Sequence, residues 1–294
     1  MKALWREKVR ISLYGSVLPV CIFAYLLFQP NVYRSEALLV ASTPQNSSIG
    51  NSAVLNQLGT LAGVRGLGQS DGSSDKIRAI ATLQSRQFVQ SFVSKHDIAV
   101  PFMAAKPGPQ QGTIVIDPAK YDLENAKWVS NSWEEGEFGP TDWEIYGEFS
   151  EIFSVSENID TGLVTIAIEW YDPELIKQWL SWMIDDLNEN AMSRELEEAK
   201  KSIDFLEKEI GETQLIEMRN VFYNLIESQT QTLVLAQVRE EYAFQIIDPP
   251  VVAREPIAPQ RLAVFLISLI LSFSAATIFV FYRLPVLLVS RASQ

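Results

Sequence analysis

The sequence is poor in the residues that most active-site chemistry requires. A single cysteine, Cys21, leaves nothing to build a disulfide framework with. A single histidine, His96, excludes His-based metal centres and leaves little room for a His-dependent triad. Cations are also scarce, with 24 Lys and Arg against 36 Asp and Glu and a net charge of −12. Phosphate contacts need clustered Lys and Arg, so nucleic acid is excluded as a partner. The Gly-rich piece GVRGLGQSDG (63–72) lacks the Gly-Lys-Ser/Thr of a phosphate loop and the strand that precedes a dinucleotide turn, and it reads as linker. The acid pairs Glu134-Glu135, Asp185-Asp186 and Glu197-Glu198 cannot flank one glycosidic bond, because adjacent helical residues diverge by about 100°. They are expected on solvated faces. No catalytic set, cofactor site or metal site can be assembled, and a non-enzymatic protein is expected.

Apolar residues are plentiful: 47% of the chain is hydrophobic, 11% is aromatic and mean hydropathy is +0.06, so disorder is excluded and the 294 residues suffice for one or two domains. The excess sits at the ends. Residues 11–28 (ISLYGSVLPVCIFAYLLF) and 262–282 (LAVFLISLILSFSAATIFVFY) contain no charge. As helices they measure about 27 and about 31 Å, matching a hydrocarbon core of about 30 Å. Phe28-Gln29-Pro30-Asn31 offers no small-x-small site, so the first run is expected to stay as an anchor and not be cleaved. Residues 1–10 carry +3 and residues 283–294 carry +2, which leaves −17 on residues 29–261. Positive flanks remain on the cytoplasmic side. A two-pass membrane protein is therefore expected, with a cytoplasmic tip (1–10), a first transmembrane helix (11–28), an extracytoplasmic body (29–261), a second transmembrane helix (262–282) and a cytoplasmic tail (283–294).

The body reads as α+β. Tyr33–Ser42 and residues 163–171 have strand character, the latter with Val164, Ile166, Ile168 and Trp170 on one face. Ser74 is placed to cap a helix running to about Lys95, and Thr141-Asp-Trp-Glu144 has the capping-box pattern for a helix to about Phe153. Asp172-Pro173 marks a helix start, since Asp caps and Pro takes the first position without losing a useful amide. Ile176, Leu180, Met183, Leu187 and onward to Ile210 repeat at alternating three- and four-residue steps, as do Met218 to Leu235. These two helices form an extended, coiled-coil-like helical arm (172–240). A strand from Phe244 then leads into a stiff proline-rich hinge of Pro249, Pro250, Pro256 and Pro259.

Four segments carry a resemblance to a known family. They are YRSEALLVAS from Tyr33, GLVTIAIEWYDPELIKQWLSWMIDDLNE from Gly162, LIESQTQTLVLAQVREEYAFQIIDPPVV from Leu225, and EPIAPQRL abutting the last apolar run. In this order, between two terminal spans, they resemble the Wzz-like chain-length determinants, the polysaccharide co-polymerases of bacterial surface glycans. The resemblance implies a membrane-proximal α/β base, helices projecting into the periplasm and a homo-oligomeric ring. It also implies partners: a membrane polysaccharide polymerase and its growing lipid-linked glycan, with lipopolysaccharide O-antigen as the expected polymer. The alternative is an inner-membrane component of a capsular polysaccharide export complex, which shares the two-span plan.

Some residues invite sharper readings. Trp128, Trp133 and Trp143 lie in an acidic, Pro- and Gly-rich region and are weak candidates for stacking on sugar rings, although aromatics more often pack beneath neighbouring helices. Ser268, Ser272 and Ala276 recur at four-residue steps, and Gly15 lies in the opposite span; such small residues let membrane helices approach closely. His96 is expected at the surface.

Overall fold

The computed structural model describes residues 18–42, 72–129, 139–239 and 241–292, with backbone alone at 72–74, 276 and 279–292. The first half comprises helix α1 (residues 18–28), strand β1 (Tyr33–Ala41), helices α2 (Gly72–Leu83), α3 (Arg86–Lys95) and α4 (Ala99–Met103), and short strands β2 (Ala105–Pro107), β3 (Ile114–Ile116), β4 (Tyr121–Asp122) and β5 (Lys127–Trp128). Then follow α5 (Asp142–Ile152), β6 (Phe153–Glu157), β7 (Val164–Trp170), α6 (Pro173–Glu212), α7 (Ile216–Val238), β8 (Phe244–Asp248) and α8 (Arg261–Ala292). The chain divides into two compact units. One comprises the described parts of Met1–Tyr33, Pro107–Thr113 and Arg254–Gln294, and the other those of Arg34–Lys106 and Ile114–Ala253.

The larger unit is built on a four-stranded sheet in the order β6-β7-β1-β8. β6 pairs antiparallel with β7, and β1 antiparallel with β8, so the first and last strands of the body lie side by side. Ala37 and Leu39 of β1 and Val164, Ile166 and Ile168 of β7 are buried on one face, as period-two alternation requires. Phe92, Phe102, Phe149 and Trp179, from α3, α4, α5 and α6, are buried with them. Phe149 sits 5.9 Å from Phe92 and 5.6 Å from Phe102, both edge-on. Each such ring is worth about 2–3 kcal/mol by burial alone.

Local chemistry sets the helix boundaries. Asp172 accepts hydrogen bonds from the Glu174 and Leu175 amides and Pro173 opens α6, which runs for 40 residues. The Thr141 hydroxyl accepts from the Glu144 amide while the Glu144 carboxylate accepts from the Thr141 amide, completing the expected box at α5. α6 turns at Thr213-Gln214-Leu215, and α7 packs back along it. The mixed α+β body with a long helical hairpin matches the expected class.

Several boundaries differ from expectation. The single helix foreseen from Ser74 to Lys95 is two helices, because the Ser85 side chain accepts from the Phe88 amide and starts α3 afresh. The helix foreseen to Phe153 ends at Ile152, and Phe153 instead begins β6, which the pattern did not reveal. The linker at 63–72 up to residue 71 and the tip at 1–10 lie outside the described residues.

In the smaller unit, Phe23 of α1 meets Phe265 of α8 edge-on at 5.2 Å. Among the described residues no helix is long and apolar enough to cross a membrane. Of the two expected spans, residues 11–17 of the first and the side chains at 276 and 279–282 of the second lie outside that description.

Candidate functional site

The proline-rich segment passes from one unit to the other. Pro249 and Pro250 follow β8 directly, and the Ser35 hydroxyl donates to the Val251 carbonyl at 2.9 Å, holding the segment against β1. In the smaller unit, the Val32 amide donates to the Ala258 carbonyl (2.9 Å) and the Ile257 amide to the Val32 carbonyl (2.8 Å); the Ala258–Pro259 bond is cis. Arg261, at the start of α8, donates through Nη2 to the Asn31 Oδ1 (2.8 Å) and the Gln29 carbonyl (3.3 Å). These four hydrogen bonds tie together the approaches to the two apolar helices. The Arg261 Nε is buried and makes no hydrogen bond.

The remaining sequence candidates are placed as follows. Ser268 and Ser272 are buried, on the same side of α8 one turn apart, while Gly15 and the side chain of Ala276 lie outside the described residues. Trp128 is half-buried, edge-on to Tyr121 at 5.1 Å. Gly139, at φ +118°, lies so close to this ring that a Cβ there would come within 2.7 Å of Trp128 Cδ1. Trp143 is exposed on α5, with the Arg86 guanidinium 5.5 Å above its ring. Trp133 lies outside the described residues.

His96, expected at the surface, is half-buried. Its ring stacks on Trp182 at 4.5 Å with an interplanar angle of 8°, and its Nε2 lies 2.9 Å from Asp186 Oδ2. Lys95 Nζ donates to Asp186 Oδ1 and Glu189 Oε2, both at 2.7 Å, and these bonds push its pKa upward. Asp186, read as a solvated acid, is thus held between the Lys95 ammonium and the His96 ring. Asp185 beside it is pushed up by burial first and by the Asp186 charge second.

The feature that sequence reasoning missed is a cavity of about 390 Å³ in the larger unit, lined by α2, α6, α7 and the residues between α7 and β8. Three carboxylates, Asp75, Glu195 and Glu198, and three guanidiniums, Arg78, Arg194 and Arg239, line it. Among the described residues no salt bridge or side-chain hydrogen bond joins any of these six to another protein group. Asn190, Gln231 and Thr232 add neutral polar groups, and Ala79, Leu187 and Leu235 supply an apolar surface. The Glu195 carboxyl is pushed above its ordinary value, by burial first and then by the Glu198 and Asp75 charges, against which Arg78 and Arg194 pull down. Burial, followed by the Glu195 charge, pushes the Tyr242 phenol up to about 12. The only sequence signal was a run of polar residues at helical spacing, Asn190, Arg194 and Glu198, on the side of α6 that should face its neighbours.

No family model and no curated protein matches the chain. Among solved structures, it is similar to a full-length bacterial polysaccharide co-polymerase at 12% identity and a TM-score of 0.38, covering 96% of each chain. It is similar to a fragment of WzzB, the polysaccharide co-polymerase of Salmonella Typhimurium, at 12% identity and a TM-score of 0.31, covering 77% of this chain and 99% of that one. It is also similar to the lipopolysaccharide O-antigen chain-length regulator of Shigella flexneri, in a point-mutant form, at 10% identity and a TM-score of 0.22, covering 76% of this chain and 99% of that one. By name, these are the class of protein that the four sequence segments resemble.

Proposed function

We propose that this chain is a non-enzymatic polysaccharide co-polymerase, anchored in the inner membrane by its two apolar ends, that sets the chain length of a surface glycan made by a partner polymerase. One observation carries the reading. β1 and β8, the strands closest in sequence to the two apolar runs, pair side by side, while a 40-residue helix and its return lie between them in the chain. A body whose two ends come together suits anchorage in one bilayer face. The strongly acidic 29–261 segment between positively charged tips supports export of that body. The four family-like segments fall on β1, on β7 with the start of α6, on α7 with β8, and on the hinge.

A ring of protomers supplies the mechanism. Phe205, Leu215, Ile216, Tyr223 and Val238 of the helical hairpin and its turn are exposed in the single chain, a larger apolar display than a solvated arm needs. Packed between copies, they would close a scaffold whose geometry fixes how long a growing glycan stays engaged with the polymerase. O-antigen is the polymer this reading favours. A deletion strain is expected to lose the preferred length in its surface polymer on a gel, with short and long chains still present. An unchanged ladder refutes the proposal, and complete loss of surface polymer points to an export component instead. Reporters active in one compartment, fused to each end, are expected to place both ends in the cytoplasm; opposite placement removes the anchorage on which the mechanism rests.

A further inference from the structure

Three helices that meet in a body of this size normally present small or apolar side chains to one another at i, i+3, i+4 and i+7 spacing. α6 breaks this rule where it faces the cavity. Along the stripe of Leu187, Asn190, Ala191, Arg194, Glu195 and Glu198, apolar residues give way to an amide and then to charges. α2 answers with Asp75, Arg78 and Thr82, and α7 with Gln231 and Thr232. Charged groups taken partly out of water are normally paired with one another, because leaving them unpaired is expensive. Here Asp75, Glu195 and Arg239 are half-buried while Arg78, Arg194 and Glu198 are exposed, and among the described residues no salt bridge joins any of the six, so their donors and acceptors remain available to a ligand in the cavity.

We propose that this cavity binds a neutral sugar unit, one ring with part of the next. The assignment rests on the reading of the chain as a glycan-length regulator and names the site through which that glycan touches it. Three properties of the lining select the ligand class. The lining carries equal numbers of positive and negative charges, so it offers no net attraction to an anion or a cation. A hydroxyl is both donor and acceptor, so neighbouring hydroxyls of one ring can give to Glu198 and receive from Arg194 together, which no simple ion can do. Ala79, Leu187 and Leu235 offer an apolar surface for the C–H face of the ring, and a cavity of about 390 Å³ lies within the size range of small-ligand sites. The raised position of the Glu195 carboxyl fits the same picture: it lacks the full pairing or hydration that an empty, self-satisfied cluster would provide.

The test uses the full chain in micelles of a detergent without a sugar headgroup. Ligand-observed saturation-transfer NMR is run with glucose, galactose, N-acetylglucosamine, glucuronic acid and glycine betaine, each at millimolar concentration. Saturation is expected to reach at least one neutral sugar and to be weaker for glucuronic acid and for the zwitterion. Arg194→Met and Glu198→Gln, which remove charge with little change of shape, are expected to weaken that binding at least tenfold while circular dichroism and the melting midpoint stay within a few degrees of the parent. Saturation of no neutral sugar, tighter binding of glucuronic acid or betaine, or equal binding by both variants overturns the assignment. Failure here is separable from failure of the length-control reading. A protein that restores the polymer ladder but binds no sugar loses only the cavity assignment, whereas an unchanged ladder in the deletion strain removes the functional reading whatever the NMR shows.

Discussion

Replacing Asn188 by alanine is expected to loosen the joint between the long helix and the last strand of the sheet. Asn188 is buried on α6, and its side chain makes three hydrogen bonds to the start of β8. Its Oδ1 accepts from the Ala243 amide at 2.8 Å and the Phe244 amide at 3.0 Å, and its Nδ2 donates to the Phe244 carbonyl at 3.2 Å. Truncation leaves three main-chain groups without partners in a place where Phe244 is fully buried. Each stranded group costs about 1–3 kcal/mol, less where water can enter, so a total of about 3 kcal/mol is expected. In a body of this size that lowers the melting midpoint by roughly 10 °C. Hydrogen exchange gives a sharper readout: the Ala243 and Phe244 amides should lose protection in Asn188→Ala, while Asn188→Asp, which keeps the acceptor, should retain most of it. A loss below about 1 kcal/mol with unchanged exchange at both amides would refute the account of this joint.

Three further outcomes follow from the same geometry. Thr141→Ala removes one half of the capping box and should destabilise the body by about 1 kcal/mol, read by denaturant melts, with Thr141→Ser recovering most of it. Glu195 has its folded pKa raised above the ordinary 4.5, so its contribution to stability is fully present below 4.5 and is lost as pH rises through the folded value. Glu195→Gln should therefore be more stable than the parent at pH 7 and equal or less stable at pH 4; a mutant that loses stability at pH 7 contradicts this sign. Mass measurement of the detergent-solubilised chain should give a closed oligomer, and Phe205→Glu together with Ile216→Glu should shift it toward monomer with helical content unchanged. A parent that is monomeric throughout would remove the scaffold.

Features decided by neighbours in sequence were the legible ones. Asp172-Pro173 and Thr141…Glu144 each place cap and amide within one turn, and β7 alternates over its whole length, so one short window holds all the physics. β6 escaped because Phe153–Glu157 follows α5 with no Gly or Pro between them, and its pairing partner lies beyond the next turn. The Ser85 break was masked by apolar residues that keep helical spacing on both sides of it. His96 could not be read as a stacked residue, because Trp182 and Asp186 stand on a helix some ninety residues away in the chain. The cavity was hidden for the same reason on a larger scale: Asp75, Glu195 and Arg239 are polar surface residues in any short window and become a shared lining only once α2, α6 and α7 are assembled.

The side-by-side placement of β1 and β8 has an architectural corollary. Whatever the polypeptide does between them, it departs from and comes home to one spot, like a cable looped out from a single junction box. Full turns could be spliced into both limbs beyond Ala199, on either side of Thr213-Gln214-Leu215, without altering sheet register or disturbing the hinge. Reach is therefore a freely adjustable dimension of this molecule, decoupled from the platform that carries it, and graded insertions there make a natural series for asking whether reach is what the cell measures.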